Sequence, residues 1–207
     1  MPKETFYNLD QVKRQKIMDV VIDEFAAHDY KSASVTKICG QAGIAKGSFY
    51  QYFDHKKDLY RYVMNYIGQS KMAYFAKYQS DLDMSNTFDF LRMLYAMGIE
   101  FTYKNPKLYH ISKYFMNMPE SERRDILGEQ LEESDQYLKT MFQKGKEAGY
   151  IREELDVAFL ARILTDLSNS ISDYYLFELD KASIDKDTFM NIANTMIDVL
   201  ENGLRKK

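Results

Sequence analysis

The sequence contains few of the residues that interrupt helices or cross-link a chain. Its 207 residues include three prolines, nine glycines and a single cysteine, Cys39. One cysteine excludes an internal disulfide framework and a cysteine-based zinc site. Long intervals without Pro or Gly, and the lack of any stretch that alternates apolar with polar residues, favour helices over strands.

Long apolar runs are also missing. The mean hydropathy is −0.48, and no run approaches the roughly eighteen apolar residues of a membrane-spanning helix. The N-terminal stretch MPKETFYNLDQVKRQK lacks the apolar segment of a secretory signal, so we expect a cytoplasmic protein. The 45% hydrophobic content suffices for one domain with a sizeable core or for two small domains.

Positive charge is concentrated in one part of the chain, although the net charge is −3. Residues 1–60 contain nine Lys/Arg and eight Asp/Glu, and the remainder contains 19 and 23. Between residues 30 and 57 there are five lysines and one acid, Asp54. A local basic patch on an acidic protein can bind an anion such as a nucleic acid. An ordinary solvated loop region would carry the same charges.

Apolar spacing and capping residues predict an all-α protein of about nine helices. In the first, from about Leu9 to His28, Glu24 is the one charged residue in an apolar pattern of Ile17, Val20, Val21 and Phe25. The others are predicted at about 35–42 with Ser34 as N-cap and Gly43 as terminator, 46–52, 55–79 with Asp54 as N-cap, 87–103, 106–117 with Asn105 as N-cap, 119–149, 157–178 with Asp156 as N-cap, and 185–204. A domain boundary is expected at residue 54, between 1–54 and 55–207.

The two short helices 35–42 and 46–52 are joined by a turn that contains glycine. This is the helix-turn-helix arrangement, whose second helix enters the major groove of DNA. At about 100° per residue, Phe49 and Phe53, with Ile44, are predicted to face the core. The opposite arc is predicted to present Gly47, Ser48, Gln51 and Tyr52, with Lys46 and Tyr50 near the inner edge. Glutamine can hydrogen-bond the major-groove edge of adenine, and hydroxyl groups can hydrogen-bond phosphates or base edges. This arc is therefore typical of a surface that reads DNA.

Four polar residues flank this turn at helix starts. Lys56 and Lys57 begin a helix where the dipole favours acids, which an external anion would explain. Ser34 and Thr36 lie at a helix N-terminus suited to phosphate. Each alone has a plainer explanation, as a cap or a solvated surface residue, but together around one turn they favour phosphate binding.

Residues 33–59, ASVTKICGQAGIAKGSFYQYFDHKKDL, closely resemble the DNA-binding region of tetracycline-repressor (TetR) family transcription regulators. The chain length and helix number also fit that family. The resemblance implies a homodimeric repressor, with a domain for DNA at 1–54 and a ligand-binding and dimerisation domain at 55–207, that is released from its operator by a small molecule. By motif position it assigns recognition-helix contacts to Lys46, Gly47, Ser48, Tyr50, Gln51 and Tyr52, and phosphate contacts to Ser34, Thr36 and Lys56. Ala33 and Ala45 depart from the pattern, and Ala45 removes the usual side-chain cap of the recognition helix.

Residues 54–207 hold 13 of the 17 Tyr, 9 of the 13 Phe and 10 of the 12 Met. So many aromatic and Met side chains are consistent with a helical core and equally with an irregular apolar cavity. The family resemblance favours a cavity for a small molecule, with a predicted lining of Met97, Phe101, His110, Phe115, Tyr137, Met141 and Asn169. Because no cationic pair clearly demands an anionic ligand, we expect a lipophilic one. His110 is expected either to bond a ligand or to be a satisfied buried histidine.

The last two predicted helices have apolar residues on two sides. One stripe comprises Leu160, Ile163, Leu164, Leu167, Ile171 and Tyr174, extended by Phe159 and Tyr175, and the other comprises Phe189, Ile192, Met196, Val199 and Leu200. Two such helices per chain suit a four-helix dimer interface. A dimer also supplies the second recognition helix that two operator half-sites need.

An enzyme is not expected. His28, His55 and His110 are scattered, and the sequence has no HExxH, nucleophile elbow, Gly-rich phosphate loop or Cys–His pair. No catalytic residue, metal site or cofactor is predicted. The alternative is a ligand-binding helical protein without a transcriptional role, against which the intact basic turn argues. The expected partners are double-stranded operator DNA, a small-molecule effector and a second copy of the chain.

Overall fold

The computed structural model describes residues 1–77, 86–174 and 185–205. Within these ranges the chain is all-α, as predicted, with ten helices and no strand. They are α1 (Glu4–Tyr7), α2 (Gln11–Ala27), α3 (Val35–Ala42), α4 (Lys46–Tyr52), α5 (Lys56–Ala76), α6 (Thr87–Lys104), α7 (Pro106–Met116), α8 (Glu120–Glu147), α9 (Val157–Asp173) and α10 (Lys186–Leu204). The predicted helix ends at Gln79 and Glu178, and Tyr175, lie outside the described residues. In the described part of the chain, no helix is long and apolar enough to cross a membrane.

Side-chain caps mark three of the predicted helix starts. Ser34 Oγ accepts a hydrogen bond from the backbone N–H of Lys37 (3.3 Å) at the start of α3. Asp156 caps α9 and Asp185 caps α10 in the same way, each at 2.7 Å. These residues satisfy N–H groups that have no partner inside their own helix.

The N-terminal side differs from the prediction in two places. The first long helix, α2, begins at Gln11 after its cap Asp10, and the short helix α1 that precedes it was not predicted. Asp54 was expected to cap α5, but its carboxylate instead lies 2.6 Å from the ammonium of Lys3. An ion pair with a distant part of the chain has replaced a local cap.

Two further differences concern α7 and α8. Asn105 makes no capping hydrogen bond with its side chain, so α7 opens with Pro106 alone. The single helix expected from Pro119 is interrupted at Leu127, whose backbone angles (φ −132°, ψ 37°) leave the helical region.

The chain packs into two compact units. The first comprises Met1–Ala73 and Asn105–Gly128, and the second comprises Tyr74–Lys104 and Glu129–Lys207. The helix-turn-helix therefore shares a unit with α7, which packs on α2. The functional boundary expected at residue 54 rests on the sequence motif rather than on packing, and it stays a prediction.

The core of the second unit lies between α6, α8, α9 and α10. Buried apolar side chains from these helices form one cluster, which includes Phe88, Leu91, Phe142, Leu160, Leu164 and Ile197. Gly145 of α8 lies against the buried Thr87 of α6. A Cβ on residue 145 would meet Thr87 Oγ1, and it would lie 2.9 Å from Ile151 Cδ1 and 3.2 Å from Thr87 Cβ. Only glycine fits at this contact without a shift of its neighbours.

Candidate nucleic-acid interface

The turn between α3 and α4 is closed by a Schellman motif. The N–H of Ile44 donates to the carbonyl of Cys39 (3.0 Å), and Gly43 adopts the left-handed conformation that this bond requires (φ 72°). Helix α4 then starts after Ala45, which provides no side-chain cap, as predicted. The predicted helix-turn-helix is therefore present, with its second helix starting at Lys46.

The inner face of α4 is aromatic, as its spacing predicted. Phe49 and Phe53 are 2% and 1% exposed, and their ring centroids lie 5.6 Å apart. Ile44, before the helix, is half-buried. These two phenylalanines fix the rotation of α4 about its axis, and this rotation determines which side chains face solvent.

The outer face of α4 is polar. Lys46, Gly47, Tyr50 and Gln51 are exposed and Ser48 is half-buried, with Tyr50 at 49% exposure. Apart from Gly47 itself, its chain neighbours and the backbone of its own helix, no heavy atom of the described residues lies within 4 Å of a Cβ built on Gly47. The protein's own packing therefore does not require glycine at position 47. Because Gly47 has no side chain, another molecule can approach the backbone of α4 closely there.

Tyr52 does not lie on this outer face. It is 7% exposed, and its ring centroid lies 6.0 Å from that of Phe6, a residue of α1. The predicted outward placement is wrong because the helical angle takes no account of a side chain that arrives from α1. A DNA contact from Tyr52 is limited to the small part of its surface that remains exposed.

The other predicted phosphate contacts have different surroundings. Thr36 is exposed and Ser34 is half-buried. Lys56 Nζ donates to the backbone carbonyls of Lys31 and Ala33, both at 3.0 Å, and lies 4.9 Å from the ring centroid of Tyr30. These bonds hold the segment that leads into α3, and they occupy two of the three donors of this ammonium.

An external anion is not needed to explain the two lysines at the start of α5. Lys57 Nζ lies 2.6 Å from both carboxylate oxygens of Asp125 in α8. Together with the carbonyl partners of Lys56, this ion pair corrects the inference drawn from the helix dipole. That inference considered α5 alone, whereas acceptors from elsewhere in the same unit bind both ammonium groups.

Sequence reasoning missed the role of Glu24. This carboxylate is 2% exposed; its Oε1 accepts from the backbone N–H of Ser34 (3.0 Å), and its Oε2 lies 2.8 Å from the ammonium of Lys37. Lys37 Nζ also lies 3.3 Å from Nε2 of His28. Glu24 thus connects α2 to the first turn of α3. The signal in the sequence was a lone acid within an apolar stripe.

The pKa of Glu24 follows from these contacts. Burial on its own raises the pKa of the carboxyl, but the Lys37 ammonium and the Ser34 N–H outweigh it, and the pKa lies below its ordinary value. The charged form is therefore the one that the folded state favours. Its contribution to stability is fully present above the ordinary carboxyl pKa and is lost as the pH falls through the folded pKa.

We expect Glu24→Gln to lower the free energy of unfolding by about 1–3 kcal/mol at pH 7, because Gln keeps an acceptor for Ser34 but not the charge opposite Lys37. The difference from wild type should shrink as the pH is lowered from about 5, because wild-type Glu24 then loses its charge too. Urea unfolding at a series of pH values measures this. Asp19→Asn, which changes an exposed acid on the same helix, is the control. If the free energies of unfolding of wild type and Glu24→Gln differ by the same amount at every pH, Glu24 is not charged in the folded state.

The seven predicted ligand residues are distributed over both units. His110 and Phe115 belong to the first, and the other five belong to the second. Phe115 is buried 6.5 Å from the ring centroid of Tyr60. His110 and Tyr137 are exposed, so the expectation of a buried His110 is wrong: it lies on the outward side of α7. Met97, Phe101 and Met141 are buried and Asn169 is half-buried.

The second unit has an apolar groove at α9 and α10. It is lined by Leu167, Ser170, Ile171, Tyr174, Thr188, Asn191, Ile192, Thr195, Met196 and Val199. Val199 is 68% exposed and Tyr174 is 48% exposed. Each expected stripe divides between the two places. Leu160, Leu164 and Leu200 belong to the core cluster, whereas Tyr174 and Val199 line the groove.

Two family models match the chain. The model "Bacterial regulatory proteins, tetR family" matches residues 17–63, which contain α3 and α4. The model "Tetracyclin repressor-like, C-terminal domain" matches residues 85–205. The chain belongs to the tetR family of bacterial regulatory proteins. The family resemblance of residues 33–59 is thereby confirmed and extends over most of the chain.

Three relatives are similar to this tetR-family chain over nearly its whole length. The fatty acid metabolism regulator protein of Bacillus subtilis (strain 168) is 23% identical over 199 residues, 94% of this chain and 97% of that protein. The structure of a TetR family transcriptional regulator from Chloroflexus aurantiacus matches with a TM-score of 0.74 and 31% identity over 100% of both chains. FadR from Bacillus subtilis, solved in complex with stearoyl-CoA, matches with a TM-score of 0.74 at 19% identity, over 91% of this chain and 98% of that one.

Membership in the tetR family decides between the candidate functions. The protein is a ligand-responsive, DNA-binding transcriptional repressor, and a ligand-binding protein without a transcriptional role is not favoured. Its partners are operator DNA and a small-molecule effector. The family and these relatives are transcriptional regulators and not enzymes.

Proposed function

We propose that this tetR-family protein acts as a homodimer that reads its operator with α4 and leaves it when a lipophilic molecule binds the second unit. The observation that carries the proposal is the division of α4, which buries Phe49 and exposes Lys46, Tyr50 and Gln51. A seven-residue helix with one aromatic side and one polar side is suited to the major groove. The protein then acts in the cytoplasm, beside the chromosome, and without enzymatic activity.

Each exposed residue of α4 has a role in this proposal. Gln51 pairs with a base edge, and Tyr50 and Ser48 contact bases or phosphates. Gly47 allows the backbone at the start of α4 to approach a phosphate, beside the ammonium of Lys46. Ser34 and Thr36 contact phosphates from α3. Lys56 contributes chiefly by holding the carbonyls of Lys31 and Ala33, with its remaining donor directed to DNA.

The proposed homodimer forms through the groove on α9 and α10. A second copy is the natural occupant, because exposed apolar side chains of two adjacent helices can pair with the same face of another chain. Two copies also provide two recognition helices for two half-sites, which a single short helix cannot replace.

The proposed effector carries a long acyl chain and binds among α6, α8 and α9. Met97, Phe101 and Met141 supply buried apolar surface there, and Asn169 supplies a polar group. The predicted lining residue Tyr137 lies at the exposed edge. His110 and Phe115 belong to the other unit and are not part of this proposal. The stearoyl-CoA bound to the structurally similar Bacillus subtilis FadR supports this class of molecule.

The test is binding of the full-length protein to its own upstream DNA. Tyr50→Ala should weaken binding by about 10- to 100-fold, because it removes an exposed contact of α4 with little effect on packing. Tyr66→Ala, an exposed tyrosine on α5, should bind like wild type. Stearoyl-CoA should release the wild-type complex, whereas CoA alone should not.

Two results would contradict parts of this proposal separately. Binding by Tyr50→Ala at wild-type affinity would show that α4 does not read the operator. Release by CoA alone would contradict an acyl chain as the recognised part of the effector, and no release by stearoyl-CoA would exclude this acyl-CoA as the effector.

A further inference from the structure

The last turn of α4 is held by the N-terminal arm, which we define as residues 2–7. A helix leaves its last four carbonyls without partners inside the helix. In α4 the carbonyl of Phe49 accepts from the N–H of Phe53 at 2.9 Å. The carbonyls of Tyr50, Gln51 and Tyr52 remain, and the N-terminal arm supplies donors to all three.

Two residues of the N-terminal arm make these bonds. The backbone N–H of Lys3 donates to the carbonyl of Tyr52 (2.8 Å), and Lys3 Nζ donates to the carbonyl of Tyr50 (2.9 Å). Thr5 Oγ1 donates to the carbonyl of Gln51. Lys3 Nζ is itself positioned by Asp54, at 2.6 Å. The bonds therefore come from two residues of one short segment, the half-buried Lys3 and the exposed Thr5.

Phe6 anchors the N-terminal arm to the rest of the first unit. It is fully buried, with its ring centroid 5.0 Å from Phe53 and 5.4 Å from Tyr62. Aromatic pairs at these distances are favourable. The same side chain covers Tyr52, so the arm is attached through both its aromatic core contact and its polar contacts.

We propose that Lys3 and Thr5 are positioning residues for operator recognition. They act on the C-terminal half of α4, where Tyr50 and Gln51 are exposed, and not on DNA. A seven-residue helix is marginal by itself, so its last turn keeps its shape only while its carbonyls are bonded. Without the N-terminal arm, the last turn frays and the side chains that face DNA lose their fixed orientation. This inference rests on the proposed role of α4 as the recognition helix.

The variants that test it change no exposed residue of α4. Thr5→Val removes the hydroxyl at constant shape, and Thr5→Ser keeps it. Lys3→Met removes the ammonium and keeps most of the stem. Thr140→Val is the matched control, because its hydroxyl bonds only Gln136 of its own helix in the second unit. Lys139→Met, whose ammonium pairs with Asp135, is the charge control.

Thr5→Val combined with Lys3→Met should weaken operator binding by about 10-fold or more, and Thr5→Val alone by about 3-fold. Thr5→Ser should bind like wild type. In the free protein, amide hydrogen exchange at residues 50–53 should be several-fold faster in the double variant, while exchange in α3 should be unchanged. The slope of log affinity against log salt should equal that of wild type, because no phosphate contact is lost.

Three outcomes would overturn the inference. One is unchanged exchange at residues 50–53 in the double variant. A second is a salt slope reduced by about one in Lys3→Met, which would make Lys3 a direct phosphate contact. The third is a Thr5→Ser variant as weak as Thr5→Val. Because exchange is measured without DNA, it decides the role of the N-terminal arm even if Tyr50→Ala shows that α4 is not the recognition helix.

Discussion

Val199→Glu is expected to produce a folded monomer that no longer binds the operator tightly. Val199 is 68% exposed in the groove on α9 and α10, so a carboxylate costs the single chain little. In a symmetric dimer each change occurs twice, and both charges would be placed in an apolar contact away from water. A monomer contacts one half-site at a time, and we expect operator affinity to fall by about 100-fold, equivalent to about 2.8 kcal/mol.

Sedimentation and operator titration on the same samples measure both effects. Met72→Glu is the matched control, because Met72 is an apolar residue of α5 with 67% exposure. It should remain dimeric and bind as wild type does. Circular dichroism should show equal helix content in all three proteins. A dimeric Val199→Glu variant with full affinity would mean that the copies meet elsewhere.

Gly145→Ala is expected to be the most destabilising of the glycine-to-alanine substitutions in the helices of the second unit. The added methyl would meet Thr87 Oγ1 and lie 2.9 Å from Ile151 Cδ1 and 3.2 Å from Thr87 Cβ. A rotation of Thr87 could move its hydroxyl but not its Cβ, so α6 and α8 must separate. We expect a loss of about 1–3 kcal/mol and a melting temperature lower by about 3–10 °C.

The control for Gly145→Ala is Gly98→Ala, in α6. Apart from Gly98 itself, its chain neighbours and the backbone of its own helix, no heavy atom of the described residues lies within 4 Å of a Cβ built on Gly98. The higher helix propensity of Ala should therefore raise stability by up to about 1 kcal/mol. In a Thr87→Ala background, Gly145→Ala should lower the free energy of unfolding by less, because the Thr87 hydroxyl that the added methyl would meet is gone. Equal costs in both backgrounds would show that Thr87 is not the limiting contact.

Local chemistry explains what could be predicted from the sequence. Ser34 as cap, Gly43 as terminator and Ala45 as an absent cap were all predicted, because each depends on residues within one turn of a helix. The inner face of Phe49 and Phe53 followed from helical spacing. For such features, the interacting partners are neighbours in the chain.

The features that were missed depend on partners far away in the sequence. Tyr52 is covered by Phe6, and Asp54 pairs with Lys3, so the N-terminal arm changes the surroundings of both. Lys56 bonds carbonyls more than twenty positions earlier in the chain. His110 is exposed on α7. Periodicity gives the direction of a side chain but not what lies opposite it.

The three bonds from the N-terminal arm to α4 all end on main-chain oxygens. Exchange of Tyr50 or Gln51 for another residue leaves those oxygens in place. The support of the helix is therefore independent of the side chains that it carries at these two positions. If α4 reads the operator as proposed, its base preference can be redesigned at Tyr50 and Gln51 while the bonds that hold the last turn stay in place.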